Sequence, residues 1–288
     1  MDLLGAVWPH VPQGIELARL WGADWTAVST PVLIRGAGEV LAHCGAIRCQ
    51  LWLAGAPRDV TALHGVCVHP GRRGEGLGRR VLEAALEAVD GEPSVWPRTQ
   101  ILWSEKVDLY RKFGFEPLPE STFVGPLPEP VPTAARLLDL ERPGDLAILR
   151  RALERRVPVS RIAAAGDDGW HFLIDLGLWP EARGGLIHLP DHGAVAVAEI
   201  ESGDDGTTLN LYDVVGPALP PPGALVGAAE AAFGAPPTAW RVYVCPDRLG
   251  APLAPEPHPF EDVLMVRGEP LPGLDRARAF ALTPLTRT

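Results

Sequence analysis

Lysine is nearly absent from this 288-residue chain: Lys106 and Lys112 are the only lysines among its 26 Lys and Arg residues, so arginine supplies the other 24. A bias of that kind reflects composition and says little about function. Cysteine is scarce too. Cys44, Cys49, Cys67 and Cys245 form no C-x-x-C pair, and their spacings match no zinc or disulfide framework. A reduced, cytoplasmic setting is expected, with no metal. No apolar run approaches the ~20 residues that span a bilayer, and no leader pattern opens the chain, so no membrane is expected. Basic charge is not in excess either. The net charge of −10 excludes the basic face of a general nucleic-acid binder and agrees with a cationic small-molecule or peptide substrate. What the chain has in quantity is apolar surface to bury: it is 47% hydrophobic with nine Trp. That is enough for two domains of ordinary size.

Periodicity orders the elements. "GIELARLWG" reads as a short helix. "PVLIR", the turn "GAGE" and "VLAHCGAIRCQLWLAG" read as a hairpin. "DVTALHGVCV" is the next strand. Leu82, Ala85, Leu86 and Val89 then fall at i, i+3, i+4 and i+7, which predicts a helix from about 77 to 89. "QILW" is a buried strand, "EKVDLYRKF" a short helix, and "FEPLP" a last strand. Pro126, Pro128, Pro130 and Pro132 follow within "VGPLPEPVPTAA", where neither sheet nor helix can continue. The linker is placed there, at 128–136. Beyond it, "PGDLAILRRALERR" is a helix, "GGLIHLPDHGAVAVAEIES" a hairpin, "TLNLYDVVG" a strand, "GALVGAAEAAF" a helix, and "AWRVYVCP" and "DVLMVRG" are strands. The second half thus repeats the order of the first without repeating its residues.

The segment "HPGRRGEGLGRR" carries the chemistry. Gly74, Gly76 and Gly78 lie between a strand end and a helix start, with Arg72, Arg73, Arg79 and Arg80 on either side. Glycine lets backbone approach a ligand, and free N–H groups at a helix start attract anions. A pyrophosphate suits this arrangement. It is no Walker loop, for Lys is missing. It is no dinucleotide fingerprint, since the sixth position is Arg79 counted from Gly74 and Val81 counted from Gly76.

The run Arg73-Gly74-Glu75-Gly76-Leu77-Gly78 after "VCVHP", followed by Tyr110 in "YRKFGF", resembles the GCN5-related N-acetyltransferases (GNAT). Their core motif is Gln/Arg-x-x-Gly-x-Gly/Ala, with a later Tyr four residues before Gly-Phe. The resemblance covers about residues 15–127 and is strongest to the tandem, enhanced-intracellular-survival type, which carries a second, degenerate copy. It implies an α/β (α+β) architecture of two tandem acyl-CoA N-acyltransferase domains, each a mixed, mostly antiparallel sheet flanked by helices. The implied division is a catalytic domain at 1–127, the linker at 128–136, and a degenerate domain at 137–288.

The resemblance also implies a reaction: acetyl transfer from acetyl-CoA to a primary amine by direct attack. Pantetheine would pair with the backbone of Val66, Cys67 and Val68, and the pyrophosphate would sit on N–H groups of Arg73, Gly74, Glu75, Gly76, Leu77, Gly78 and Arg79. Tyr110 stands where the family's general acid stands. His64 takes the place of a strand Glu that often serves as base, and a neutral imidazole suits that task at pH 7. Two positions depart from the family pattern: Trp103 stands for a usual Asn and Lys106 for a usual Ala. The alternative reading is a non-catalytic acyl-CoA-binding or sensing module. In the second half, "GPALPPPGALVG" has four prolines and no arginine where the glycine loop would be, so no phosphate cradle is expected there. Residues after about 136 are instead expected to wall part of the acceptor side. Oligomeric state and the identity of the amine are not legible.

Overall fold

A computed structural model describes residues 2–166, 169–203 and 206–287. The first half contains α1 (Asp2–Val7), α2 (Val11–Leu20), α3 (Trp25–Val28), β1 (Ser29–Gly36), β2 (Glu39–Leu53), β3 (Ala56–Val68), α4 (Leu77–Gly91), β4 (Gln100–Ser104), α5 (Val107–Arg111), β5 (Glu116–Pro117) and β6 (Ser121–Gly125). The second contains β7 (Arg136–Leu137), α6 (Pro143–Glu154), β8 (Ala163–Ala165), α7 (Gly169–Leu178), α8 (Pro180–Gly184), β9 (Leu186–Leu189), β10 (Ala194–Gly203), β11 (Gly206–Val215), α9 (Pro222–Phe233), β12 (Ala239–Val242), β13 (Ala254–Pro257) and β14 (Val263–Arg267).

Local chemistry explains most of these. The β1–β2 hairpin turns at Ala37 and Gly38, both at positive φ, as a two-residue hairpin turn requires. α4 buries Leu77, Val81, Leu82, Ala85, Leu86 and Val89, the apolar stripe that its spacing predicts. β2 is buried continuously from Leu41 to Ile47 because both faces are covered: α4 packs on one and α1 on the other.

Two mixed sheets result. The first runs β1-β2-β3-β4-β14-β5, with β8 on the far end of β2; the second runs β13-β6-β12-β11-β10-β9-β7. β3–β4 and β11–β12 are parallel pairs, each joined through a helix, and the other pairs are antiparallel. The two sheets exchange strands. β14, from the second half, lies between β4 and β5 of the first sheet. β6, from the first half, lies between β12 and β13 of the second. The division at 127 and 137 remains a proposal from the sequence, and hydrogen-bonded ladders cross it at three strands, β6, β8 and β14. Proline leaves residues 126–135 without regular structure, yet the Val131 N–H bonds the Gly223 carbonyl at 2.9 Å, which ties the segment to α9.

Candidate active site

β3 and β4 pair only at Thr61 with Gln100 and Ala62 with Ile101. Beyond that point β4 continues on β14, and the β4-facing edge of β3 from Leu63 to Val68 has no ladder among the described residues. The same stretch carries a bulge: Gly65 and Val66 oppose Cys44 alone, with Gly65 at φ +58°. A bulge re-aims backbone groups, and here it does so at the fork between two parallel strands.

The strand then enters the glycine loop. His69 turns back on it, its Nδ1 accepting the Gly71 N–H at 3.2 Å. Pro70–Arg72 make one 3-10 turn. Gly74 and Gly76 lie at φ +84° and +74°, with open space where a Cβ would stand. Gly76 is the N-cap of α4 and offers no side chain to cap it. The first-turn N–H groups are therefore open to an outside acceptor. At Gly78 a Cβ would stand 3.3 Å from Val68, so this glycine brings the helix close to the strand. The arginines divide. Arg72 is held by Glu75 at 2.6 and 2.7 Å, and Arg79 by Glu83 at 2.7 Å. Arg73 and Arg80 form no ion pair among the described residues, so their charge remains available to an anion.

Tyr110, on α5, is buried edge-on to Phe115, with ring centroids 6.1 Å apart. Burial pushes its hydroxyl up to about 12, nearby Cys44 adds to this, and a bond with Ser104 opposes it. Burial also lifts the Cys44 and Cys67 thiols, to about 12 and about 11. Neither is a thiolate near neutral pH, so neither offers a nucleophile for a covalent acetyl intermediate.

His64 lies away from Tyr110, on the side of the sheet toward α3. It is 3% exposed, with Nε2 2.8 Å from the Ser29 hydroxyl and its ring 4.8 Å from that of Trp25. Its Nδ1 is buried without a partner. Burial, then His43, then His171 bring its pKa down to about 3. At pH 7 it is neutral, as the sequence suggests, but it is a weak proton acceptor and does not line the adjoining cleft.

That cleft, of about 520 Å³, opens between α1, α3, β1 and β2. Leu3, Leu4, Ile15, Leu33 and Val40 give it an apolar floor, while Ser29, Arg35, Glu39, His43 and His69 supply polar groups. Its lining comes from residues 3–69. The second half acts from behind. α7 packs on α2 so closely that a Cβ on Gly14 or Gly177 would strike the other's carbonyl, and His171 of α7 lies within electrostatic reach of His64. Sequence reasoning missed Ser29, Trp25 and His43. The available signal was His43 itself, an imidazole in the otherwise apolar run "VLAHCGAI".

Residues 32–117 match the family model of the acetyltransferase (GNAT) domain. No curated protein matches. Among solved structures, a conserved protein of Enterococcus faecalis V583, a probable N-acyltransferase, aligns with TM-score 0.58 at 15% identity over 93% of this chain and 68% of its own. A GCN5-related N-acetyltransferase from Anabaena variabilis aligns with TM-score 0.50 at 15% identity, over 82% of this chain and 61% of its own. Eis1 from Mycobacterium abscessus aligns at 16% identity over 82% of this chain and 63% of its own, with TM-score 0.49. The chain thus spans less than two thirds of the Anabaena and Mycobacterium proteins. At these identities the likeness to the Enterococcus and Anabaena proteins is one of fold: two mixed sheets flanked by helices, as in acyltransferases.

Proposed function

From the premise that this chain carries a GNAT acetyltransferase domain over residues 32–117, we propose that it moves an acetyl group from acetyl-CoA to a primary amine by direct attack. The observation that carries this reading is the pairing of an unladdered, bulged edge at Val66–Val68 with an uncapped helix start at Gly76, one strand end apart. The first suits an extended pantetheine chain. The second suits a pyrophosphate on the N–H groups from Arg73 to Arg79, with the Arg73 and Arg80 guanidiniums nearby. A freed N–H near Val66 or Cys67 would bond the thioester oxygen as charge develops there.

Tyr110 keeps its proton at neutral pH and donates a hydrogen bond to the sulfur as the C–S bond breaks. A hydroxyl held near 12 does not hand its proton fully to a thiolate of ordinary pKa, ~8.5, so its main effect is stabilisation of the departing charge. His64 contributes by holding Ser29 on the cleft wall. The amine enters the 520 Å³ cleft. Arg35 and Glu39 bring one charge of each sign there, so attraction for a cationic amine rests on Glu39 and on the acidic balance of the chain.

The test is calorimetric titration with acetyl-CoA followed by thiol release with a series of primary amines. Saturable binding and amine-dependent release are expected. Binding without turnover of any amine would return the reading to a non-catalytic acyl-CoA module, and absence of binding would end both.

A further inference from the structure

The amine must lose a proton before it attacks, since an alkyl ammonium titrates near ~10. His64 is poorly placed to take that proton. A second histidine is better placed. His43, on β2, pairs across the ladder with Cys67 and lines the cleft. Its Nδ1 is 2.8 Å from the Gly65 carbonyl oxygen. A carbonyl only accepts, so the neutral ring must carry its proton on Nδ1. Nε2 is then the lone-pair nitrogen. The ring belongs to a residue that is 8% exposed and lines the cleft, whereas His64 is 3% exposed and does not. Gly65 is the bulge residue, and a Cβ there would stand 3.2 Å from the His43 ring. One backbone irregularity therefore frees the strand edge for the thioester and fixes the tautomer of the imidazole beside it. A backbone carbonyl holding Nδ1–H so that Nε2 faces the reactants is what a general base requires.

We propose that His43 is the general base of the transfer, accepting the ammonium proton of the acceptor on Nε2. This rests on the acetyltransferase reading above. Nε2 takes the first N–H proton and becomes part of an imidazolium. The amine lone pair forms the C–N bond at the thioester carbon as the C–S bond breaks. The second N–H proton ends on the CoA sulfur, and the imidazolium returns its own proton to water. The products are the amide, CoA thiol and one proton.

His43→Asn tests this in the full chain, because the Asn amide can still donate to the Gly65 carbonyl while Nε2 is lost. The probes are acetyl-CoA and a series of primary alkyl and arylalkyl amines, read by thiol release at pH 7. A loss of about 10²-fold or more in kcat/KM is expected, with acetyl-CoA affinity by calorimetry unchanged and part of the rate restored by added imidazole. A His43→Asn variant within threefold of the parent overturns the proposal, and so does one that loses acetyl-CoA affinity in proportion to its rate. A parent that binds acetyl-CoA and turns over no amine removes the transferase reading, and the base falls with it. Should His43→Asn not fold, nitrogen-15 NMR of the parent decides. A protonated Nδ1 with a bare Nε2 at His43 supports the assignment, and a protonated Nε2 overturns it.

Discussion

At Gly76 the backbone sits at φ +74° with no atom near its missing side chain, so the residue answers to conformation and to whatever approaches from outside. Gly76→Asp adds backbone strain and a carboxylate where a pyrophosphate is proposed. We expect acetyl-CoA affinity to fall at least tenfold while the fold survives, measured by calorimetry beside circular dichroism. An unchanged affinity would remove the loop from the cofactor site. Tyr110→Phe keeps the edge-on contact with Phe115 and removes the hydroxyl alone. Because the hydroxyl is proposed as a hydrogen-bond donor more than a full acid, the loss in kcat should lie near 10²-fold, the low end for acid catalysis, with acetyl-CoA affinity intact. Single-turnover thiol release reads this directly, and an unaltered rate of chemistry would take Tyr110 out of the mechanism.

At the scale of the element, the two exchanged strands matter most. β4 and β5 do not touch each other in the first sheet; β14 fills the gap and bonds both. Leu264 and Met265 of β14 are fully buried there. A chain ending at Pro132 would leave β4 with an open apolar edge and β5 with no neighbour. It should therefore be insoluble or unfolded when expressed alone, and a monomeric, cooperatively melting 1–132 fragment would contradict the exchange. Leu264→Ala asks the same question inside the full chain. Emptying a fully buried leucine site costs about 2–5 kcal/mol. Since that site belongs to the first sheet while its residue belongs to the second half, tryptophan fluorescence and far-ultraviolet dichroism should shift together in one denaturant transition. Separate shifts for the two halves would mean that the ladders do not couple them.

For the whole molecule, acid sensitivity is expected at the joint between the halves. His64 and His171 approach each other across it, and burial brings them to about 3 and about 4. An unfolded chain protonates both near ~6.5. Below that pH the unfolded state binds more protons than the folded one, so stability falls as pH falls from ~6.5 toward the folded values, and these groups change nothing above it. Each contributes about 1.4 kcal/mol per pH unit in that window, or about 3 kcal/mol for the two. Urea midpoints at pH 7.5, 6.5 and 5.5 should show a plateau and then a drop, and His171→Asn should lower the slope by about 1.4 kcal/mol per pH unit, with His258, also brought to about 3 by burial, among the groups that keep the remainder. A flat profile down to pH 5 would mean that the histidines are less buried in solution than in the structure.

Much of this molecule was legible from its residues alone, for local reasons. The stripe from Leu77 to Val89 determines α4, because a 3.6-residue period leaves one face to bury. The glycines at 74 and 76 mark a loop whose φ values only glycine accepts readily, and the proline spacing from 126 to 132 excludes regular structure there. Other features depend on what distant residues bring near, and no local pattern encodes that. "STFVG" and "DVLMVRG" are short apolar runs of the same kind, and nothing in either says which sheet it joins. That choice follows from which sheet has an unfilled gap. Arg72 and Arg79 look as cationic as Arg73 in the sequence, yet Glu75 and Glu83 neutralise them. His64 and His43 are both strand histidines. Only the bulge at Gly65 and the packing of Trp25 and Ser29 decide that one is sealed and the other lines the cleft.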